Sequence, residues 1–172
     1  MKLVIIGAGG YGQVVFDVAT QLGCYDSIKF LNDNKIDDNV LGQCSEYFKY
    51  KESDTYMYPA FGNNELRLTW INRLKEDEIK VPTIIAPSSY VSTTASIGSG
   101  CVILPHAVVN TNCVIKEGCL INAGAIVDHN CILEEGVHVC IGSLIKAENR
   151  IPSGIKIQAG VVVKNGEYPI KE

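Results

Sequence analysis

The sequence predicts an α/β domain over residues 1–82 followed by a parallel β-helix over residues 83–172, and three observations carry that reading. Fourteen aliphatic residues recur at strict six-residue intervals from Ile85 to Val163. A glycine-rich turn, Gly7-Ala8-Gly9-Gly10-Tyr11-Gly12, directly follows an apolar run at the N-terminus. Between these two features, short apolar runs alternate with segments of helical spacing.

The first domain assembles in chain order. Lys2 to Ile6 reads as a strand ending in the glycines, and Gln13 to Leu22 carries apolar residues at helical spacing. Ser27 to Leu31 reads as a second strand, closed by Asn32-Asp33. Thr55 to Phe61 is a third, interrupted by Pro59, and Asn63 to Ile79 a second helix with Leu66, Ile71 and Leu74 on one face. Strands alternating with helices imply a parallel sheet. About 80 residues supply half of a doubly wound, Rossmann-like domain, room for one nucleotide rather than a dinucleotide.

The glycine turn has a chemical reading. Glycines let the backbone bring its N–H groups against a diphosphate, and the helix N-terminus adds partial positive charge. Gly9, Gly10, Tyr11 and Gly12 are therefore candidate phosphate-binding residues. Asp33, at the end of the second strand, is placed to meet a ribose or base. A tight strand-to-helix turn with no ligand is the competing reading of the same glycines.

From Ile85 the grammar changes. The six-residue register runs Ile85, Val91, Ile97, Ile103, Val109, Ile115, Ile121, Val127, Leu133, Val139, Ile145, Ile151, Ile157, Val163. Four residues after each stands a mostly small residue, Ser89 and Ala95 through Val137 and Ser143. Such a period marks hexapeptide repeats, in which three flat sides complete one turn of a left-handed parallel β-helix. The aliphatic residue points inward and the small one fills the tight space beside it. Fourteen repeats make between four and five coils. Cys101, Cys113, Cys119 and Cys131 all take the small interior slot, where cysteine behaves as a compact hydrophobe. Cys140 lies off that slot, and Cys24 and Cys44 have no partner motif.

Composition excludes several classes. Of 172 residues, 47% are apolar and 20% charged, so the chain can bury a core. A net charge of −4 without a basic run argues against nucleic acid. The longest apolar runs fall far short of the ~20 residues of a membrane span. The N-terminal apolar stretch is too short for a signal peptide, so a cytoplasmic location is expected, with the seven cysteines as thiols. No CxxC pair suggests a zinc knuckle.

Three histidines remain: His106, His129 and His138. His129 and His138 fall at repeat positions expected to face outward, where an imidazole, which titrates near neutral pH, can take a proton from an amine or hydroxyl. Asp128 and Asn130 flank His129, and a carboxylate beside the ring would hold its tautomer. Plain solvent exposure is the competing reading, kept for His106. The 23- and 9-residue spacings do not match a three-histidine zinc site, so no metal is expected.

Together these pieces resemble the bacterial nucleotide-sugar and sialic-acid acetyltransferases of the hexapeptide-repeat type, closest to those acting on UDP-linked 4-amino sugars. Four stretches carry the resemblance: Ile6 to Gly12, Phe30 to Asp33, Phe61 to Arg67, and Asn122 to His129 followed by His138. The resemblance implies that Gly9, Gly10, Tyr11, Gly12, Asn32, Asp33, Gly62, Asn63 and Arg67 bind the nucleotide sugar. It implies that His129 is the general base, supported by Asp128 and Asn130, and that His138, Gly142 and Ala147 meet acetyl-CoA, with a backbone N–H near Gly142 as oxyanion donor. It also implies a homotrimer with the cosubstrate between neighbouring β-helices. The chain departs from the family pattern at Asn130, where an acidic residue is frequent, at Ala86, where histidine is common, and in ending about one coil early. Acetyl transfer to a free sugar such as sialic acid, or a non-catalytic nucleotide-sugar-binding scaffold, leaves similar traces.

Overall fold

The computed structural model describes residues 1–34 and 38–170. The chain divides into two compact units, Met1–Pro82 and Thr83–Glu172. No helix among the described residues is long and apolar enough to cross a membrane.

The first unit is built from β1 (Lys2–Ile6), α1 (Gly10–Leu22), β2 (Ser27–Leu31), β3 (Val40–Gly42), a 3₁₀ helix (Cys44–Tyr50), β4 (Thr55–Pro59) and α2 (Asn64–Glu76). The sheet runs β3-β2-β1-β4, and all its pairings are parallel. The chain moves outward from β1 through β2 to β3, then returns to the other edge of β1 as β4. The strand order therefore reverses between β1 and β4, the place where open α/β sheets leave a crevice beyond their strand ends.

Two features differ from the expected elements. The three-residue β3 and the 3₁₀ helix were absent from the pattern, since neither is long enough to show a period. In α2 the buried stripe is Arg67, Ile71 and Leu74 at helical i, i+4, i+7 spacing, whereas Leu66 is 42% exposed. An arginine at a core position disguised the stripe. The helix also stops short of Ile79: Asp77 caps it and Glu78 turns left-handed, at φ 56°.

The second unit is the expected three-faced β-helix. Its strands run from β5 (Ile84–Ile85) to β18 (Val162–Val163), each two residues long, in parallel sheets of four, five and five strands. The second residue of every strand belongs to the six-residue aliphatic register. These residues and the small-slot residues form one interior column from Cys101 to Val163. The slot thiols of Cys101, Cys113, Cys119 and Cys131 donate to the carbonyls of Lys116, Asp128, Glu134 and Lys146 at 3.0 to 3.2 Å. Cys140 is buried too, and that burial pushes its thiol above the ordinary range, which suits packing rather than nucleophilic chemistry.

The small slot continues one step beyond the residues that the small-residue pattern picked out. Asn149 occupies it, fully buried, with Nδ2 donating to the carbonyls of Lys146 at 2.8 Å and Lys164 at 3.0 Å. Its Oδ1 accepts from the Tyr168 N–H at 2.8 Å, while the Arg150 N–H donates to the Tyr168 carbonyl. Tyr168 packs against the interior column, so the segment after β18 folds back over the end of the coil. Removing the amide leaves several buried backbone groups without partners. Asn149→Ala is expected to cost about 2–4 kcal/mol in urea unfolding; a loss below about 0.5 kcal/mol would show that Asn149 does not hold the end.

Candidate functional site

In the first unit, the loop between β1 and α1 lies at the switch point. Gly9 caps α1 without a side-chain hydrogen bond, and the first turn holds no acidic residue. Helix-start N–H groups lack intrahelical partners and carry the positive end of the helix dipole. The glycines divide into two kinds. At Gly7, with φ +102°, a Cβ would crowd the Ala60 carbonyl and the Phe61 ring at 3.3 Å; at Gly12 it would lie 2.0 Å from the Gly7 oxygen. Those two serve the packing of loop, helix and strand. Gly9 and Gly10 are exposed, and a Cβ on either would meet nothing within 4 Å. Their bare backbone is not required by the chain's own packing, and it leaves a helix N-terminus open to an anion.

The neighbouring residues have defined partners. Tyr11 Oη lies 2.7 Å from Tyr58 Oη, joining the first turn of α1 to β4. Asn32 Oδ1 accepts from the Ala8 N–H across a long 3.5 Å. Asp33 is exposed, with Oδ1 accepting from the Cys44 N–H at 2.8 Å, so one carboxylate oxygen braces the start of the 3₁₀ helix. Gly62 is exposed, and Asn63 caps α2 by accepting from the Leu66 N–H at 2.9 Å. Arg67 departs from the expected exposed pocket residue. It is fully buried, with Nη1 donating to the Phe61 carbonyl at 2.9 Å and Nη2 to Asn64 Oδ1 at 3.1 Å. Its guanidinium shapes the Phe61–Asn64 turn rather than presenting itself to solvent. The Phe61 ring, which borders Gly7, stacks on Trp70 at 6.2 Å.

In the second unit, β12 (Ile126–Val127) delivers Asp128, His129 and Asn130 to one turn. His129 is exposed, and its Nδ1 lies 3.1 Å from Asn130 Nδ2. The expectation that the Asp128 carboxylate holds the ring is corrected. Asp128 Oδ1 instead accepts from the His129 backbone N–H at 2.8 Å and from Asn110 Nδ2 at 3.2 Å. Asp128 thus fixes the backbone of the turn, and Asn130 is the side chain that meets the imidazole. Asn130 is left-handed at φ 56°, a conformation asparagine tolerates.

Three further expectations change. His138, in β14 (His138–Val139), alternates with an interior residue and so points away from the coil axis, but it is only 6% exposed. A sequence signal for that burial exists: Ile84, Val102 and Leu120 precede His138 in its outward column, and all three are buried. The Gly142 N–H donates to the Ala123 carbonyl at 3.1 Å, so the coil ladder already uses the expected oxyanion donor. Ala147 sits one coil beyond His129 and is buried, and the next residue, Glu148, donates its N–H to the His129 carbonyl at 3.2 Å. His106 is exposed in a left-handed turn.

Residues 2–74 match the PglD N-terminal domain family. No curated protein sequence matches the chain. Among solved structures, the acetyltransferase domain of PglB from Neisseria gonorrhoeae is 34% identical, with a TM-score of 0.90 over 94% of this chain and 81% of that one. The same domain in complex with acetyl coenzyme A matches at 30% identity and TM-score 0.83, over 96% of this chain and 93% of that one. PerB from Caulobacter crescentus, in complex with CoA and GDP-perosamine, matches at 21% identity and TM-score 0.73, over 95% and 92%.

Proposed function

This chain belongs to the nucleotide-amino-sugar acetyltransferase family that includes the PglB acetyltransferase domain, and from that premise we propose that it transfers acetyl from acetyl-CoA to the amine of a nucleotide-linked sugar in bacterial surface-glycan synthesis. One observation carries the reading: an exposed histidine on a β-helix turn, in a chain matching an acetyl-CoA-bound relative across 96% of its length.

The chemistry is direct transfer. The sugar amine attacks the thioester carbonyl, a C–N bond forms and the C–S bond breaks. His129 takes the proton the amine loses and returns it to the departing CoA sulfur. No acyl-enzyme is required, in keeping with the burial of the interior thiols. Asn130 contacts the ring and Asp128 fixes its backbone. Residues 1–82 hold the nucleotide sugar, with its diphosphate at Gly9, Gly10 and the start of α1 and its nucleoside toward Asn32 and Asp33. Tyr11, Gly12, Gly62 and Asn63 complete that pocket, with Arg67 acting from beneath. Residues 83–172 carry acyl transfer, with His138, Gly142 and Ala147 along the acetyl-CoA path.

A homotrimer completes the proposal. The outward column Tyr90, Val108, Ile126, Leu144, Val162 is apolar throughout, with Tyr90 57% and Val162 52% exposed. Packing such columns against neighbouring copies removes apolar surface from water. It also places the turn after β12, and so His129, at the border of the covered face.

The test is incubation with acetyl-CoA and UDP-, dTDP- or GDP-linked amino sugars, following release of the CoA thiol. Sugar-dependent release is expected, and the mass of the product distinguishes an acetylated amine from an acetylated hydroxyl on a matched deoxy-sugar control. No release with any acceptor, together with no CoA binding by calorimetry, would remove the proposal.

A further inference from the structure

The turn that carries His129 contains a second asparagine with no assigned role. Asn112 lies one coil before Asn130 in the same turn column, left-handed at φ 57°. Its Nδ2 is 3.2 Å from Asn130 Oδ1, and Asn130 Nδ2 is 3.1 Å from His129 Nδ1. The backbone beneath this ladder is held in place. The Asn112 N–H donates to Thr94 Oγ1 at 3.0 Å, and the Asn130 N–H to the Thr111 carbonyl at 2.9 Å.

A chain of two amides and an imidazole has a direction. In one polarity Asn112 donates to Asn130 and Asn130 donates to Nδ1, which leaves the ring proton on Nε2, where it blocks that nitrogen as a base. In the other, Nδ1–H donates to the Asn130 oxygen and Asn130 donates to the Asn112 oxygen, so Nε2 keeps its lone pair. Turning both amides over exchanges oxygen for nitrogen and leaves the separations unchanged, so 3.1 and 3.2 Å fit either polarity.

We infer that Asn112 is a positioning residue: through Asn130 it selects the tautomer of His129 that leaves Nε2 free to take the substrate's proton. The inference rests on His129 being the base. In many enzymes a carboxylate fixes the tautomer of such a ring. Here the nearest carboxylate on the turn, Asp128, is bonded to the backbone, and two neutral amides do the work instead. The charged groups around the ring are Asp128 in its own turn and Glu148 in the next coil, whose N–H bonds the His129 carbonyl; Thr111, in the preceding coil, is uncharged.

The experiment compares wild type, Asn112→Gly and Asn112→Asp. Glycine accepts the left-handed backbone, so the turn is kept while the ladder loses its end. Aspartate only accepts hydrogen bonds, so it holds the working polarity. Nitrogen-15 NMR of His129 in the substrate-free protein reads the tautomer. Wild type and Asn112→Asp are expected to show the proton on Nδ1, and Asn112→Gly to move it substantially to Nε2. The kcat of Asn112→Gly is expected to fall about three- to ten-fold with KM unchanged, in proportion to the working tautomer lost, while Asn112→Asp stays within about two-fold of wild type. An Asn112→Gly spectrum identical to wild type overturns the inference. A changed tautomer with unchanged kcat leaves Asn112 as the tautomer-setting group and instead removes His129 as the base, so the two failures are distinguishable.

Discussion

His129→Ala is expected to lower kcat by about 10²–10⁴-fold, the usual worth of a positioned general base. KM for both substrates should stay within about two-fold, because the imidazole acts on a proton in flight rather than on ground-state binding. Stability should change little. The ring is exposed and its partner, Asn130, is only partly buried, so the substitution strands no buried polar group. Steady-state kinetics and a urea titration on the same preparation check both halves. Activity within a few-fold of wild type would show that another group takes the proton. His138→Ala makes a poor comparison, since His138 is 6% exposed and its loss would mix packing damage with any effect on the cosubstrate.

The β-helix was almost fully legible because its physics is written at a fixed sequence interval. Each strand contributes one interior aliphatic, and coils stack in register, so a period of six survives into the fold as a continuous column. The same regularity made Asn149 easy to miss: the slot is recognised by small apolar residues, and an asparagine qualifies only because carbonyls of its own and the adjoining coil satisfy its amide. Arg67 hid a helix face for the opposite reason, a charged residue paired within the core. The site residues were legible as types and positions but not as contacts. Sequence neighbours Asp128 and Asn130 both flank His129, and only the direction of the turn decides that the amide meets the ring while the carboxylate meets the backbone. The burial of His138 depended on reading an 18-residue column, Ile84, Val102, Leu120, His138, across the six-residue one.

Gly10→Glu is expected to raise KM for the nucleotide sugar at least about ten-fold, or 1.4 kcal/mol, without destabilising the chain. The space above Gly10 is open, so the new side chain fits. A glutamate in the first turn of α1 also complements the helix dipole, which contributes about 0.3–1 kcal/mol of stability. The same charge repels a diphosphate approaching that helix end, so folding and binding are expected to move in opposite directions. Gly12→Ala should behave differently, because its Cβ would lie 2.0 Å from a backbone oxygen that cannot rotate away. Overpacking of that kind costs about 1–3 kcal/mol, read as a lower urea midpoint. The chain's single tryptophan offers a binding signal, since Trp70 stacks on Phe61 and Phe61 borders Gly7. Titrating a nucleoside diphosphate sugar should change its fluorescence in wild type and leave it flat in Gly10→Glu at the same concentrations. If Gly10→Glu binds as well as wild type, the open glycines are a turn and nothing more, and the diphosphate sits elsewhere.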